Sequence, residues 1–269
     1  MSSTPSSKPA CLGVFDSGVG GLTVLRELRR LMPDVAMRYV ADAAHAPYGL
    51  REPKYIIQRS LTVAEHLIDQ GAGVLVVACN TATAHAISAL RQRWPQLPIV
   101  GTEPGIKPAV AASQNGRIGV LATPATISSA RFADLVRRHA GSAQIISQPC
   151  PGLVDLIERG DLQAPALQRL IAELCRPLRE AEVDTVLMGC THYPLVQASL
   201  QAELGPSVRL LNIETAVAQQ ASRLWTELAQ PAQAQAPAPW LETTGNAQAL
   251  SLFVQQALAW PLQAQGLRI

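Results

Sequence analysis

Short runs of β-forming residues, several apolar along their whole length, alternate with amphipathic stretches through most of this chain. CLGVF (11–15), AMRYVA (36–41), VLVVA (74–78), PIVG (98–101), RIGVLA (117–122), TVLMG (185–189) and VRLLN (208–212) are the strand candidates. A strand that is apolar on both of its alternating faces has to be covered on both, which happens in parallel sheets flanked by helices. The intervening segments LTVLRELRRLM (22–32), PKYIIQRSLTVAEHLI (53–68) and ALQRLIAELCRPLREA (166–181) repeat apolar residues at three- and four-residue spacing, the period of a helix with one buried face. The expected fold class is therefore α/β with mostly parallel strands.

Two of the strand candidates end in nearly the same phrase. Residues 74–81 read VLVVACNT and residues 185–192 read TVLMGCTH, so Cys79 and Cys190 occupy matched corners 111 positions apart. A second echo, GVFDS (13–17) and GVLAT (119–123), is offset by 106. Two pairs at nearly one offset point to two similar parallel-sheet α/β halves. The first half should end near GTEPGIKPA (101–109), where Gly and Pro sit at hinge-like spacing. AQPAQAQAPAP (229–239) is low-complexity and reads as a solvated loop. WLETTGNAQALSLFVQQAL (240–258) reads as a strand, a turn and a final helix.

Bulk properties remove several function classes. With 22 basic and 20 acidic residues, no dense basic run and 4% aromatic content, the chain offers nucleic acid neither an electrostatic footprint nor stacking platforms. No apolar stretch is long enough to span a membrane, and the polar MSSTPSSKPA start lacks the apolar core of a signal peptide. Five cysteines without a CxxC argue against zinc and against a disulfide framework, and free thiols fit a reducing cytoplasm.

In open parallel sheets ligands bind beyond the carboxyl ends of the strands. Asp16-Ser17-Gly18, Cys79-Asn80-Thr81, Thr123 and Cys190-Thr191-His192 collect there. Hydroxyls and backbone N–H groups at such corners suit a carboxylate, and helix N-termini favour a thiolate. DSGVGG (16–21) has neither the Lys-Ser/Thr ending of a phosphate loop nor the glycine spacing of a dinucleotide site. It reads as a tight turn bringing backbone close to a small ligand. Cys11, Cys150 and Cys175 read as buried small hydrophobes. Among the histidines, His66 and His139 read as surface or capping residues and His85 as packing. His45 is a candidate for a loop over the site, and His192, two residues after Cys190, is the best candidate for tuning that thiol. A matched thiol pair suits a reaction that takes a proton from one face of a carbon and returns one to the other. A cysteine hydrolase using Cys190 with His192, and a non-catalytic amino-acid-binding protein, are the alternatives.

At DSGVGG, ADAAHAPYG (41–49), ACNTA (78–82), GVLATPAT (119–126), CPGLVDLIERG (150–160) and GCTHYPL (189–195) the chain closely resembles the glutamate racemases, cofactor-independent members of the aspartate/glutamate racemase superfamily. The resemblance runs from Leu12 to the final helix. It implies two α/β domains facing each other across a cleft, residues 1–103 plus 215–269 on the Cys79 side and 104–214 on the Cys190 side. It implies that L- and D-glutamate are interconverted without cofactor or metal, with Cys79 and Cys190 on opposite faces of the α-carbon. Asp16, Glu158 and His192 would assist the thiols. Ser17, Tyr48, Gly49, Asn80, Thr81, Thr123, Thr191 and His192, together with Asp16, would hold the substrate. The family role is supplying D-glutamate for peptidoglycan in the cytoplasm, with a homodimer as a possible assembly and aspartate or a hydantoin as the neighbouring substrates. The chain departs from the family pattern at Ala43 and Ala46, at Glu214, and in the Ala/Gln/Pro stretch before Trp240.

Overall fold

The computed structural model describes residues 11–228 and 237–269. The polar N-terminal segment and most of the 229–239 stretch, expected as a solvated loop, lie outside the described residues. Ten strands are described: β1 (Cys11–Asp16), β2 (Met37–Ala41), β3 (Ala72–Val77), β4 (Ile99–Gly101), β5 (Arg117–Ala122), β6 (Gln144–Pro149), β7 (Thr185–Met188), β8 (Arg209–Leu211), β9 (Trp240–Thr243) and β10 (Ala264–Gly266). They form a six-stranded sheet in the order β10-β9-β2-β1-β3-β4 and a four-stranded sheet in the order β6-β5-β7-β8, and every pairing is parallel.

The two sheets repeat one topology. Read outward from β1, the order β2-β1-β3-β4 of the first matches β6-β5-β7-β8 of the second, with β9 and β10 added beyond β2. The central strands are therefore β1 and β5, which carry the GVFDS and GVLAT echo. The strands beside them, β3 and β7, lead into the two cysteine corners.

Burial on both faces explains the unbroken apolar runs. Along β1, Leu12 and Val14 enter one core layer while Cys11 and Phe15 enter the layer on the opposite face. Along β7, Val186 and Met188 face one layer and Leu187 the other. Each such fully buried aliphatic side chain stabilises the fold by roughly 1.5–3 kcal/mol. Helix Leu22–Leu31 packs against helix Glu214–Glu227, and that second helix also rests on β3 and β4. The chain thus returns to the six-stranded sheet after completing the four-stranded one. Among the described residues no helix is long and apolar enough to cross a membrane.

Two edge strands escape the pattern argument. β6 reads QIISQP with only partial burial, because an outer strand is covered less completely than a central one. β10 is AQG, three residues with little strand preference that are held by pairing with β9.

The added β9 is secured by charge. Arg38 Nη1 donates to Glu242 Oε2 at 3.0 Å, and His66 Nε2 lies 3.2 Å from the same oxygen. His66 is thus half-buried in an ion network rather than a free surface residue. Burial alone would raise the Glu242 carboxyl, but hydrogen bonds and Coulombic attraction from His66 and Arg38 hold it below the usual carboxylate range. A depressed carboxylate stabilises the fold above its unfolded pKa, about 4.3, and that contribution is lost as pH falls through the lower folded value. Glu242→Gln should cost roughly 1–3 kcal/mol at pH 7 in denaturant melts. The difference from the parent should shrink below about pH 4; an equal difference at both pH values would contradict this assignment.

Candidate active site

The carboxyl ends of the central strands of both sheets meet at one buried seam. β1 delivers Asp16 and β5 delivers Thr123, while Cys79 and Cys190 each follow β3 or β7 by two residues. Both thiols are almost fully enclosed, with 4% and 6% exposure. They lie near enough for a charge on the Cys190 sulfur to act on Cys79.

Cys79 caps helix Asn80–Arg93: the Ala82 N–H donates to its Sγ at 3.5 Å, and the thiol points to Ser17 Oγ at 3.8 Å. The expectation that the helix end would favour a thiolate here is not met in this conformation. Burial, and after it the charge of Asp16, push the Cys79 thiol well above its ordinary pKa, and the Ala82 and Ser17 hydrogen bonds offset only part of this. Cys79 is therefore held as a thiol.

Asp16 is fully buried and accepts from four groups: Ser17 N at 2.5 Å, Ser17 Oγ at 3.1 Å, Gly21 N, and Thr191 Oγ1 at 3.1 Å across the seam. Burial pushes its carboxyl up; His192, a Cys79 hydrogen bond and Thr191 oppose that, and Glu158 reinforces it.

The Cys190 corner is organised by a relay. His192 Nδ1 lies 3.7 Å from Cys190 Sγ, and its Nε2 lies 2.6 Å from Glu158 Oε1. Glu158, at the end of helix Leu153–Glu158, also accepts from Val19 N at 2.7 Å. Burial works against a charged imidazolium. Hydrogen bonds to Cys190 and Glu158, with the charges of Cys190 and Asp16, overcome it and raise His192 well above an ordinary histidine.

The glycines of DSGVGG serve this contact between halves. A Cβ on Gly18 would lie 1.9 Å from Glu158 Oε1, and one on Gly20 would lie 2.2 Å from His192 Nδ1. The close approach expected for a small ligand is here made by the facing half's own side chains. Tyr39, a residue sequence reasoning passed over, supports the turn from beneath by donating to the Gly18 carbonyl at 2.5 Å.

Hydroxyls form a second cross-seam cluster. Thr81 Oγ1 and Thr123 Oγ1 are 2.9 Å apart, and Thr126 Oγ1 lies 2.9 Å from Thr123 and 3.3 Å from Thr81. Thr126 was not singled out from sequence, although its position three residues after Thr123 is capping spacing: its N–H is bound by Thr123 Oγ1. Gly49 abuts Thr123, leaving no room for a Cβ. Tyr48 is buried, and its hydroxyl donates to Asp42, which also accepts from Arg59 Nε at 3.0 Å and Nη2 at 2.9 Å and from Thr244 at 2.9 Å. The Tyr48 hydroxyl is thus engaged internally, and Asp42 is another group that sequence reasoning missed. Its signal was its place at the tip of β2, level with Asp16 on β1. Asn80 Nδ2 donates to the Thr102 carbonyl at 3.0 Å, which leaves its buried Oδ1 as the atom without a partner. An acceptor, rather than the expected donor, is the side of Asn80 left open.

All twelve site candidates from the sequence therefore border one seam. His45 instead pairs with Tyr55, with Nδ1 and the hydroxyl oxygen 2.5 Å apart. His85 reaches across the seam to the Ala125 carbonyl at 2.9 Å, a tie rather than simple packing. Cys11, Cys150 and Cys175 are buried and free, as packing residues would be.

The repeated parallel sheets, with a cysteine at the same corner of each and titratable groups beside both, define an α/β protein of the racemase class. The chain belongs to the Asp/Glu/Hydantoin racemase family, whose model matches residues 21–221. It is 52% identical over 229 residues to a glutamate racemase of Ectopseudomonas mendocina, covering 84% of this chain and 87% of that one. Among solved structures it resembles the Escherichia coli glutamate racemase in complex with L-glutamate and the activator UDP-MurNAc-ala, with a TM-score of 0.82, 31% identity and coverage of 93% and 95%. It also resembles the Francisella tularensis glutamate racemase in complex with D-glutamate, with a TM-score of 0.81, 27% identity and 97% coverage of each chain.

The raised His192 carries a sign. A histidine whose pKa is raised by folding stabilises the protein fully below about pH 6.5, and the contribution is lost as pH rises through the folded value. Replacing Glu158 by Gln should lower the His192 titration midpoint by about one unit or more, read by NMR of the imidazole. An unmoved midpoint would contradict the relay.

Proposed function

We propose that this chain interconverts L- and D-glutamate by exchanging the α-proton between two thiols, without a cofactor. The observation that carries the reading is the matched placement of Cys79 and Cys190 on the tips of two repeated sheets that share one buried seam. Relatives that bind each enantiomer of glutamate supply the substrate.

When L-glutamate arrives, Cys190 as thiolate takes the α-proton while Cys79 as thiol donates one from the opposite side. The elevated proton affinity of Cys79 keeps it in the form that this direction requires. Asp16 assists Cys79; Glu158 and His192 assist Cys190. D-glutamate reverses the roles. Charge growing on the α-carboxylate is met by Thr81 and by the backbone N–H groups at Thr191 and at the start of helix Asn80–Arg93, the Thr191 hydroxyl being held by Asp16. Preorganised donors of this kind are worth roughly 3 kcal/mol each. Ser17, Tyr48, Gly49, Asn80 and Thr123 complete the substrate surround, Tyr48 through its backbone because its hydroxyl is held by Asp42.

The division into residues 1–103 plus 215–269 and residues 104–214 follows from this reading. Helix Glu214–Glu227, resting on the first sheet, supports it. With both thiols enclosed, substrate entry requires the halves to part along the seam. The role fits D-glutamate supply for peptidoglycan in a reducing cytoplasm, where five free thiols persist.

Circular dichroism of L-glutamate with the purified chain and no added cofactor should decay to zero. Cys79→Ala and Cys190→Ala should each lose activity on the order of 10²–10⁴-fold or more toward both enantiomers. Full racemisation by either variant would rule out the two-thiol mechanism, and decay with aspartate alone would reassign the substrate.

A further inference from the structure

Tyr193 carries an unexplained cost. It is fully buried beside Cys190 in chain and space, its N–H bound to the Cys190 carbonyl at 3.1 Å. Its hydroxyl is shielded from solvent and has no hydrogen-bond partner within ordinary geometry. A buried hydroxyl left unpaired is destabilising relative to the phenylalanine that would fill the same space. Tyr193, Cys150 and Cys190 pack in one buried cluster, and both sulfurs lie near enough to act on the hydroxyl.

The two sulfurs differ in what they can offer. Cys150 donates its own proton to the Gln148 carbonyl at 3.3 Å, and burial pushes its thiol up to about 12. It stays a neutral thiol and a weak acceptor. Cys190 is the thiol that the proposed mechanism requires to become an anion. A thiolate is a far better acceptor than a thiol, so the hydroxyl gains a strong acceptor in the reactive state.

We propose that Tyr193 is a positioning residue whose hydroxyl donates to the Cys190 thiolate, adding a second partner to that of His192. The proposal rests on the racemase reading for its consequence, but the contact itself does not depend on the substrate. Around Cys190 the titratable groups are then His192, backed by Glu158 and Asp16, together with Tyr193, Cys150 and Cys79.

The test is Tyr193→Phe, which removes one oxygen and keeps the ring. Thermal melts should show stability retained or increased, because an unpaired hydroxyl is gone. The acid limb of kcat/KM against pH should move up by about one unit, giving about a tenfold loss below it and little loss on the plateau. The loss is equal for both enantiomers, since their equilibrium constant is one. Placing 3-fluorotyrosine at 193, a stronger donor of nearly the same shape, should move the limb down. Cys150→Ala should leave the profile in place.

An unchanged limb in Tyr193→Phe, a uniform loss at every pH, or a shift that disappears in the Cys150→Ala background would each overturn the proposal. Ultraviolet thiolate absorbance in a Cys79→Ala background reads Cys190 with no substrate present. Its midpoint should rise in Tyr193→Phe even if glutamate proves to be the wrong substrate, and a fixed midpoint would again overturn the proposal.

Discussion

The structure turns on the hydrogen-bonded contact between the Gly-rich turn after β1 and the Glu158–His192 pair of the facing half. Val19 N and His192 Nε2 converge on Glu158 Oε1, and His192 reaches the Cys190 sulfur through its other nitrogen. Backbone of one half thereby holds the carboxylate that favours the charged imidazole beside the thiol of the other. This contact exists only because residues 18 and 20 lack side chains, and the Asp16–Thr191 bond sets its register from the other side.

Burial gives the seam its chemistry and its asymmetry. Around Cys79 the nearest charge is a carboxylate, so desolvation and repulsion act together and favour the neutral thiol. Around Cys190 the nearest partner is an imidazole whose cationic form is favoured by Glu158 and Asp16, which suits a developing thiolate. The two corners are topologically equivalent yet carry different neighbours, a carboxylate beside one thiol and an imidazole beside the other. A pair that shares one proton needs such an arrangement if one member is to be base while the other is acid. In the proposed mechanism glutamate enters when the halves separate, so closing the seam and preparing the thiols are a single event.

Much of this was legible in the sequence because it depends on local pattern. Apolar runs covered on two faces, such as VLVVA and TVLMG, announce parallel strands, and the echo at nearly constant offset announces two copies of one sheet topology. Strand-end cysteines followed by polar residues marked the two corners that meet at the seam. β6 and β10 were not legible, since edge strands such as QIISQP and AQG take their conformation from a neighbour. The partners assigned to each polar group were also hidden. Nothing in the order of residues says that the Tyr48 hydroxyl is held by Asp42, that Asn80 presents an acceptor, or that Thr126 joins Thr81 across the seam. These contacts join residues separated along the chain or lying on different halves. Cys79 shows the same limit from the energetic side: its helix-capping position suggests a thiolate, but desolvation together with the charge of Asp16 outweighs the Ala82 and Ser17 hydrogen bonds.

The central claim is that two sulfurs act on one carbon from opposite sides, and isotope transfer measures this most directly. L-glutamate would be incubated with the enzyme in deuterium oxide and stopped at low conversion. The account predicts deuterium at the α-carbon of the D-glutamate formed, with the recovered L-glutamate remaining almost entirely protiated, because the acid that reprotonates is not the base that abstracts. Comparable deuterium in recovered L-glutamate and product, or product that keeps the original proton, would show one base serving both faces and would contradict it.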